Sequence, residues 1–330
     1  MLGYMRMRDD GQLAMRVVAS LELASAPWDF GAANTDEHIR FNLAHAALLQ
    51  SKKDPILRFN GATFGVDGPC WCGLLRMEKP YLDAYGRPTT GHEFNTKKMQ
   101  REVIHYCLKH KIRLNLIQAA LFDHRQFLEI VDDDQLADAV RRGDWVAQHN
   151  MLITEDTIRR YADLKLHSTI SMSFRWGKGD MYRERMGDEI MDMVVPVGRH
   201  FASGANVSLG QDWSPFSPFE HMKLAQTGEL ARSDFPCNPE THTISAQQAL
   251  DGWTVNTAKL MQWEDIGALK PGFKADIAIV DHNPLTADVD GLAKTEVLRT
   301  VFDGRDVYDT GYIARIDESP LPRQHPNLAR

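Results

Sequence analysis

Six short β-like runs, at 16–23, 56–62, 113–119, 145–150, 167–172 and 205–212, punctuate this chain, and helix-like segments fill most of the spaces between them. Residues 36–50 place Ile39, Leu43, Ala46 and Ala47 at helical spacing, and residues 96–110 do the same with Met99, Val103, Ile104 and Cys107. A parallel strand pair needs a long crossover, and an amphipathic helix supplies one, so this alternation is the sequence form of βαβ units. The expected fold class is α/β with a parallel sheet. A chain of 330 residues with 43% hydrophobic content can bury a core large enough to hold it.

The end of the sixth run is followed by helix signals. Ser217-Pro218-Phe219-Glu220 offers a capping hydroxyl, proline at the first helical position and an acid at the third, and Ser245-Ala246-Gln247-Gln248 repeats the form ahead of a helix expected over 246–261. From Gly267 the texture changes to turn–strand segments, "IGALKPGFKADIAIVD" and "VLRTVFDGRDVY". The expected division is therefore 1–266 for the α/β unit, 267–316 for a small β-rich module and 317–330 for a proline-containing surface tail.

Charge and composition narrow the partners. A formal net charge of −7 without a basic block offers no footprint for nucleic acid or anionic lipid, and no apolar run approaches membrane-spanning length, so a small-molecule substrate is expected. The N-terminus lacks the apolar stretch of a signal peptide, and Cys70, Cys72, Cys107 and Cys237 form neither a C-x-x-C pair nor a disulfide framework; both features point to the cytoplasm.

Chemistry concentrates at strand ends. Asp212 closes the run "NVSLGQD", and His149 nearly closes "WVAQHN". In a parallel β/α barrel such ends share the face that carries catalysis. Trp71, Trp213 and Phe216 are candidates for pocket walls. Arg175, Lys178 and Arg183 either bind a substrate carboxylate or form a solvated charged loop.

The segments "QHNMLITEDTIRRYADL", "SLGQDWSPFSPF" and "SAQQALDGWTVNTAKLMQWEDIGALKPGFKADIAIVDHNPL" resemble the C-terminal half of the amidohydrolase superfamily, in particular amidohydrolase family 3. The resemblance implies a (β/α)8 TIM-type barrel with a small β-sandwich, binding a divalent metal, zinc above all, and hydrolysing amide or other C–N bonds. It implies that Asp212 ends the eighth strand, approaches the metal and carries the proton of the attacking water. It implies that His149 ends the sixth strand as a metal ligand. Such a water ionises near neutral pH on zinc, and a carboxylate can pass its proton to a leaving amine.

The sequence also departs from that pattern. No H-x-H pair stands near the start; Arg58 occupies the place of the fourth-strand lysine and Gln118 that of the fifth-strand histidine. Neither is a good zinc ligand, so Arg58 and Gln118 are assigned with Trp213 to the substrate. Six strands rather than eight imply an incomplete barrel whose first two strands are missing, and its open edges invite self-association into a homo-oligomer. Two readings follow: a metal-dependent C–N hydrolase, or a catalytically inactive relative that keeps the scaffold for binding or structure.

Overall fold

In the computed structural model, which describes residues 2–24, 36–50, 54–66 and 68–312, six parallel strands lie side by side in chain order. They are β1 (Val17–Glu22), β2 (Leu57–Gly65), β5 (Leu114–Gln118), β6 (Val146–His149), β7 (His167–Ile170) and β8 (Val207–Leu209), with a separate hairpin of β3 (Tyr81–Leu82) and β4 (Pro88–Thr89) in the long connection after β2. The curled sheet with helices on its outside is a partial (β/α) barrel of TIM type: the parallel sheet was expected from the alternation of runs, and the barrel from the family resemblance.

The registers separate two faces. Ala62, Leu114, Leu116, Ala147, Val207 and Leu209 share the face that packs on helices, all of them buried. The opposite face is more polar: Thr63, Asn115, Gln148, Thr169 and Ser208 lie there with the apolar Ile117 and Val146, as the period of two requires. On the helix face, Phe64, Leu116 and Trp145 pack with Met99, Val103, Ile104, Phe127 and Tyr161 in one apolar cluster. Each large side chain enclosed there contributes about 2 kcal/mol by leaving water.

Strand β2 extends past the expected end at residue 62 because Gly61 permits a bulge. Its φ is 104°, and a Cβ there would stand 2.3 Å from the carbonyl oxygen of Arg113. Pairing with β1 jumps from Ala19↔Phe59 to Leu21↔Ala62 at this point.

The helix signals hold in detail. Thr96 caps Lys97–His110 by accepting from Met99 N at 3.2 Å, Ser217 caps Pro218–Thr227, and Ser245 with Gln248 forms a reciprocal capping box. The single helix expected over 246–261 is instead two, Ala246–Trp253 and Val255–Leu260, broken at Thr254 (φ −121°, ψ −93°). The segment read as either a substrate-binding or a charged solvated loop contains a helix, Ser173–Met186, with Arg175 and Asp180 buried.

Past residue 267 the chain forms an antiparallel sheet in the order β11 (Arg305–Asp309), β10 (Val297–Phe302), β9 (Ile277–Val280). Asp303 and Gly304, both with positive φ (49° and 80°), make the tight β10–β11 turn. Arg16, its side chain 3% exposed, ties this sheet to the start of β1 through Asp276 (2.6 Å) and Asp303 (3.0 Å). The expected tail, 317–330, lies outside the described residues.

Candidate active site

The C-terminal ends of β6 and β8 bring an imidazole and a carboxylate to the same mouth. His149 is the last residue of β6 and has φ 73°, with Asn150 following at φ 49°, so the extended backbone stops at the imidazole. A positive φ is costly for residues with a side chain and persists only where its surroundings hold it. The His149 ring meets Phe174 edge-on at 5.1 Å, Phe174 meets Trp213 at 5.2 Å, and Trp213 meets Trp71 at 5.0 Å. Asp212 directly precedes Trp213 and is exposed. Ser173 Oγ donates to the carbonyl of Trp213 at 3.2 Å, which fastens this loop to the first turn of the helix after β7.

Desolvation drives the pKa of His149 below its ordinary value, and the charge of Asp212 pulls the other way. The carboxylate is thus close enough to bias the protonation of the imidazole. Neither side chain has a hydrogen bond or ion pair within the protein among the described residues. His149 is held neutral, a form that can accept a proton or a metal.

Of the residues assigned to substrate, the structure brings Trp213 to this mouth but places the other two elsewhere. Arg58 is the second residue of the nine-residue β2, at the N-terminal end of the sheet. Its Nε donates to Asp54 O at 3.0 Å, its Nη1 to Gln262 O at 3.1 Å, and its guanidinium stacks 3.8 Å from the Trp263 ring centroid. This is a structural clamp on the floor, and the expectation that Arg58 contacts substrate is corrected. Gln118 ends β5 beside His149 in register, yet enclosure keeps it from the open mouth. It is fully enclosed, with neither amide atom hydrogen-bonded. Phe216 is 75% exposed and is no pocket wall.

Two further histidines, His167 and His124, are engaged or enclosed. His167 starts β7 on the floor, bonding Asp144 at 2.5 Å and Asn206 at 2.9 Å. His124 lies in the helix layer against Tyr161 Oη at 2.8 Å, and desolvation pushes its pKa down to about 3. Among the described residues no group of three or more His, Cys, Asp or Glu is arranged to hold a metal ion. His149 and Asp212 fall short of the three protein ligands that a catalytic zinc takes, so these residues alone do not fit the group.

Phe174, the link between His149 and Trp213, was missed in the sequence because an aromatic one turn into a helix carries no functional signal.

The sequence matches the amidohydrolase family, Amidohydro_3, over residues 3–308. The chain belongs to that family. It is 26% identical over 180 residues to N-substituted formamide deformylase of Arthrobacter pascens, covering 53% of this chain and 32% of the relative. Its fold resembles a metal-dependent hydrolase from Pyrococcus horikoshii (TM-score 0.68, 18% identity, 88% of this chain and 55% of that one). It also resembles an adenosine deaminase from Xanthomonas campestris with bound zinc (TM-score 0.57, 14% identity, 94% of this chain and 64% of that one). The amidohydrolase chain thus spans about a third of the formamide deformylase and under two thirds of either structure. No helix among the described residues is long and apolar enough to cross a membrane.

Proposed function

We propose that this amidohydrolase-family chain acts in the hydrolysis of amide or other C–N bonds of small molecules, with Asp212 as the proton carrier and His149 facing it. The observation that carries the reading is the pair itself: an exposed carboxylate whose charge acts on a neutral imidazole at the end of a parallel sheet, beside an aromatic wall. In the reaction Asp212 accepts a proton from the attacking water and returns it to the departing nitrogen, which would otherwise leave as an anion. Burial keeps His149 uncharged, so it does not neutralise Asp212 through an ion pair. Trp213 and Phe174 exclude bulk water on one side. The names of the relatives, a formamide deformylase and a deaminase, support C–N chemistry as the class.

A divalent metal, zinc first, belongs to the same reading by family. The described residues do not complete its ligand set. That incompleteness, together with the enclosed Gln118, favours the second reading, an inactive scaffold. One experiment separates the two: metal content and formamide hydrolysis of the purified chain with and without added zinc, beside Asp212→Asn. The hydrolase reading expects turnover that Asp212→Asn lowers by roughly 10²–10⁴-fold at matched metal content. Absence of turnover with substoichiometric metal, or equal turnover in the variant, overturns it.

Two further parts of the proposal concern setting. The four cysteines are free, which supports a reducing, cytoplasmic location. The outer edges of β1 and β8 have no strand partner among the described residues, which supports self-association through them. A sedimentation mass above that of the monomer is the expected result, and a strict monomer contradicts it.

A further inference from the structure

One cation at the mouth is not consumed by the fold. The helix Ser173–Met186 carries Arg175, Lys178, Arg183 and Arg185. Arg175 is wholly enclosed and donates from Nε to Gly228 O at 2.9 Å. Arg183 reaches Asp188 at 2.9 Å, and Arg185 donates to the carbonyls of Cys70 and Trp71 at 3.0 and 3.2 Å. Among the described residues Arg175 and Arg185 have no ion pair but are held by these hydrogen bonds, whereas Lys178 has neither an ion pair nor a hydrogen bond. Its ammonium instead lies over two indoles, 4.6 Å from the Trp213 ring centroid and 5.1 Å from that of Trp71.

Stability does not account for that placement. Ordering a lysine sacrifices much rotamer freedom, and a cation resting on an indole at a partly exposed site returns only a small energy, of the same order as an exposed ion pair. Cys72 is within reach of the Lys178 charge, but partial desolvation holds its thiol above its ordinary pKa against the pull of Arg185 and Lys178, so near pH 7 it is no anion for the lysine. The two indoles, tilted by 54° to one another, present flat apolar walls beside an ammonium that has no anion among the described residues.

We propose that Lys178 is the specificity-determining residue of this mouth, and that the ligand it selects is a small molecule joining a planar apolar group to a carboxylate. The planar group lies against Trp71 and Trp213, and the carboxylate pairs with Lys178. The remaining end points along Trp213 and Phe174 toward His149 and Asp212. The Asp212 charge repels a second carboxylate there, which fixes the orientation. This assignment rests on the mouth being the ligand site of the hydrolytic reading, and names the substrate class for it.

Binding tests it without turnover. Benzoate and its neutral counterpart benzamide are titrated by calorimetry or ligand-observed NMR against the full chain, Lys178→Met and Lys178→Arg. The wild type is expected to bind benzoate at least tenfold more tightly than benzamide. Lys178→Met should bind the two alike while melting cooperatively, and Lys178→Arg should keep the preference. Equal affinities or no benzoate binding in the wild type, or an undiminished preference in Lys178→Met, overturns the proposal. The preference is expected to persist in Asp212→Asn. A chain that never hydrolyses but discriminates through Lys178 therefore supports this inference alone, and one that hydrolyses without discriminating overturns it alone.

Discussion

The two ends of the parallel sheet use the same residue types in opposite ways. On the floor, His167 is bonded through both ring nitrogens, to Asp144 and Asn206, and Asp144 also accepts from Gln262 Nε2. Arg113 adds a donor to the carbonyl of Asp144, and Asn206 and Asn256 bond onward to backbone carbonyls. At the mouth, His149, Asp212 and Lys178 find no polar partner among the described residues and are lined by aromatic rings instead. A polar network satisfied within itself specifies the fold, whereas charged and titratable groups left without protein partners are available to a ligand. The difference separates stability from function along one axis of the molecule.

The first way to sharpen this comparison is acid, where the helix layer behind the mouth sets the largest effect. His124 and His200 are both enclosed, and desolvation lowers each pKa to about 3. Their folded values lie below the unfolded value near 6.5, so the unfolded chain binds more protons at intermediate pH. Their neutral forms stabilise the fold fully above about pH 6.5, and this contribution is lost as pH falls toward 3, by up to about 1.4 kcal/mol per pH unit for each histidine. Urea unfolding across that window should show the slope, to which the lowered His149, His221 and His242 also add, and His200→Gln should reduce it by up to about 1.4 kcal/mol per pH unit. A stability flat from pH 7 to 5 would contradict the assignment.

The second is to remove one histidine from each end. His167→Ala strips partners from Asp144 and Asn206 and should cost about 2–3 kcal/mol in denaturant unfolding. His149→Ala should cost about 1 kcal/mol or less, because its ring leaves no hydrogen-bond partner behind. Equal costs would erase the distinction between floor and mouth.

The smallest effect concerns the C-terminal sheet, the module proposed from residue 267 onward. All of β11 is exposed, whereas β8 is entirely buried. Hydrogen exchange should release β9–β11 before β5–β8, and uniform protection would argue that they unfold as one unit.

Much of this was legible in the sequence because it is local. Apolar period, capping hydroxyls at Thr96, Ser217 and Ser245, and the strand-end positions of His149 and Asp212 all follow from neighbours a few residues away. What was not legible depends on distant partners. Arg58 looked like a displaced metal-ligand position, but Trp263 and Gln262, some two hundred residues on, claim it for the floor. Gln118 is set aside by its enclosure, which its place at a strand end does not announce. Thr254 breaks a helix whose periodicity runs straight through it. Lys178 could be named as a carboxylate partner or as a solvated charge, and only the positions of Trp71 and Trp213 favour the first.

The central claim, that Asp212 and His149 work as one unit at the mouth, is tested most directly by NMR titration of the His149 ring in the wild type and in Asp212→Asn. The wild-type imidazole should titrate below the ordinary histidine value of about 6.5. Asp212→Asn should lower it further, because the one neighbouring charge among the described residues that favours the imidazolium is removed. A His149 pKa unchanged or raised by Asp212→Asn would show that the two groups do not share a site.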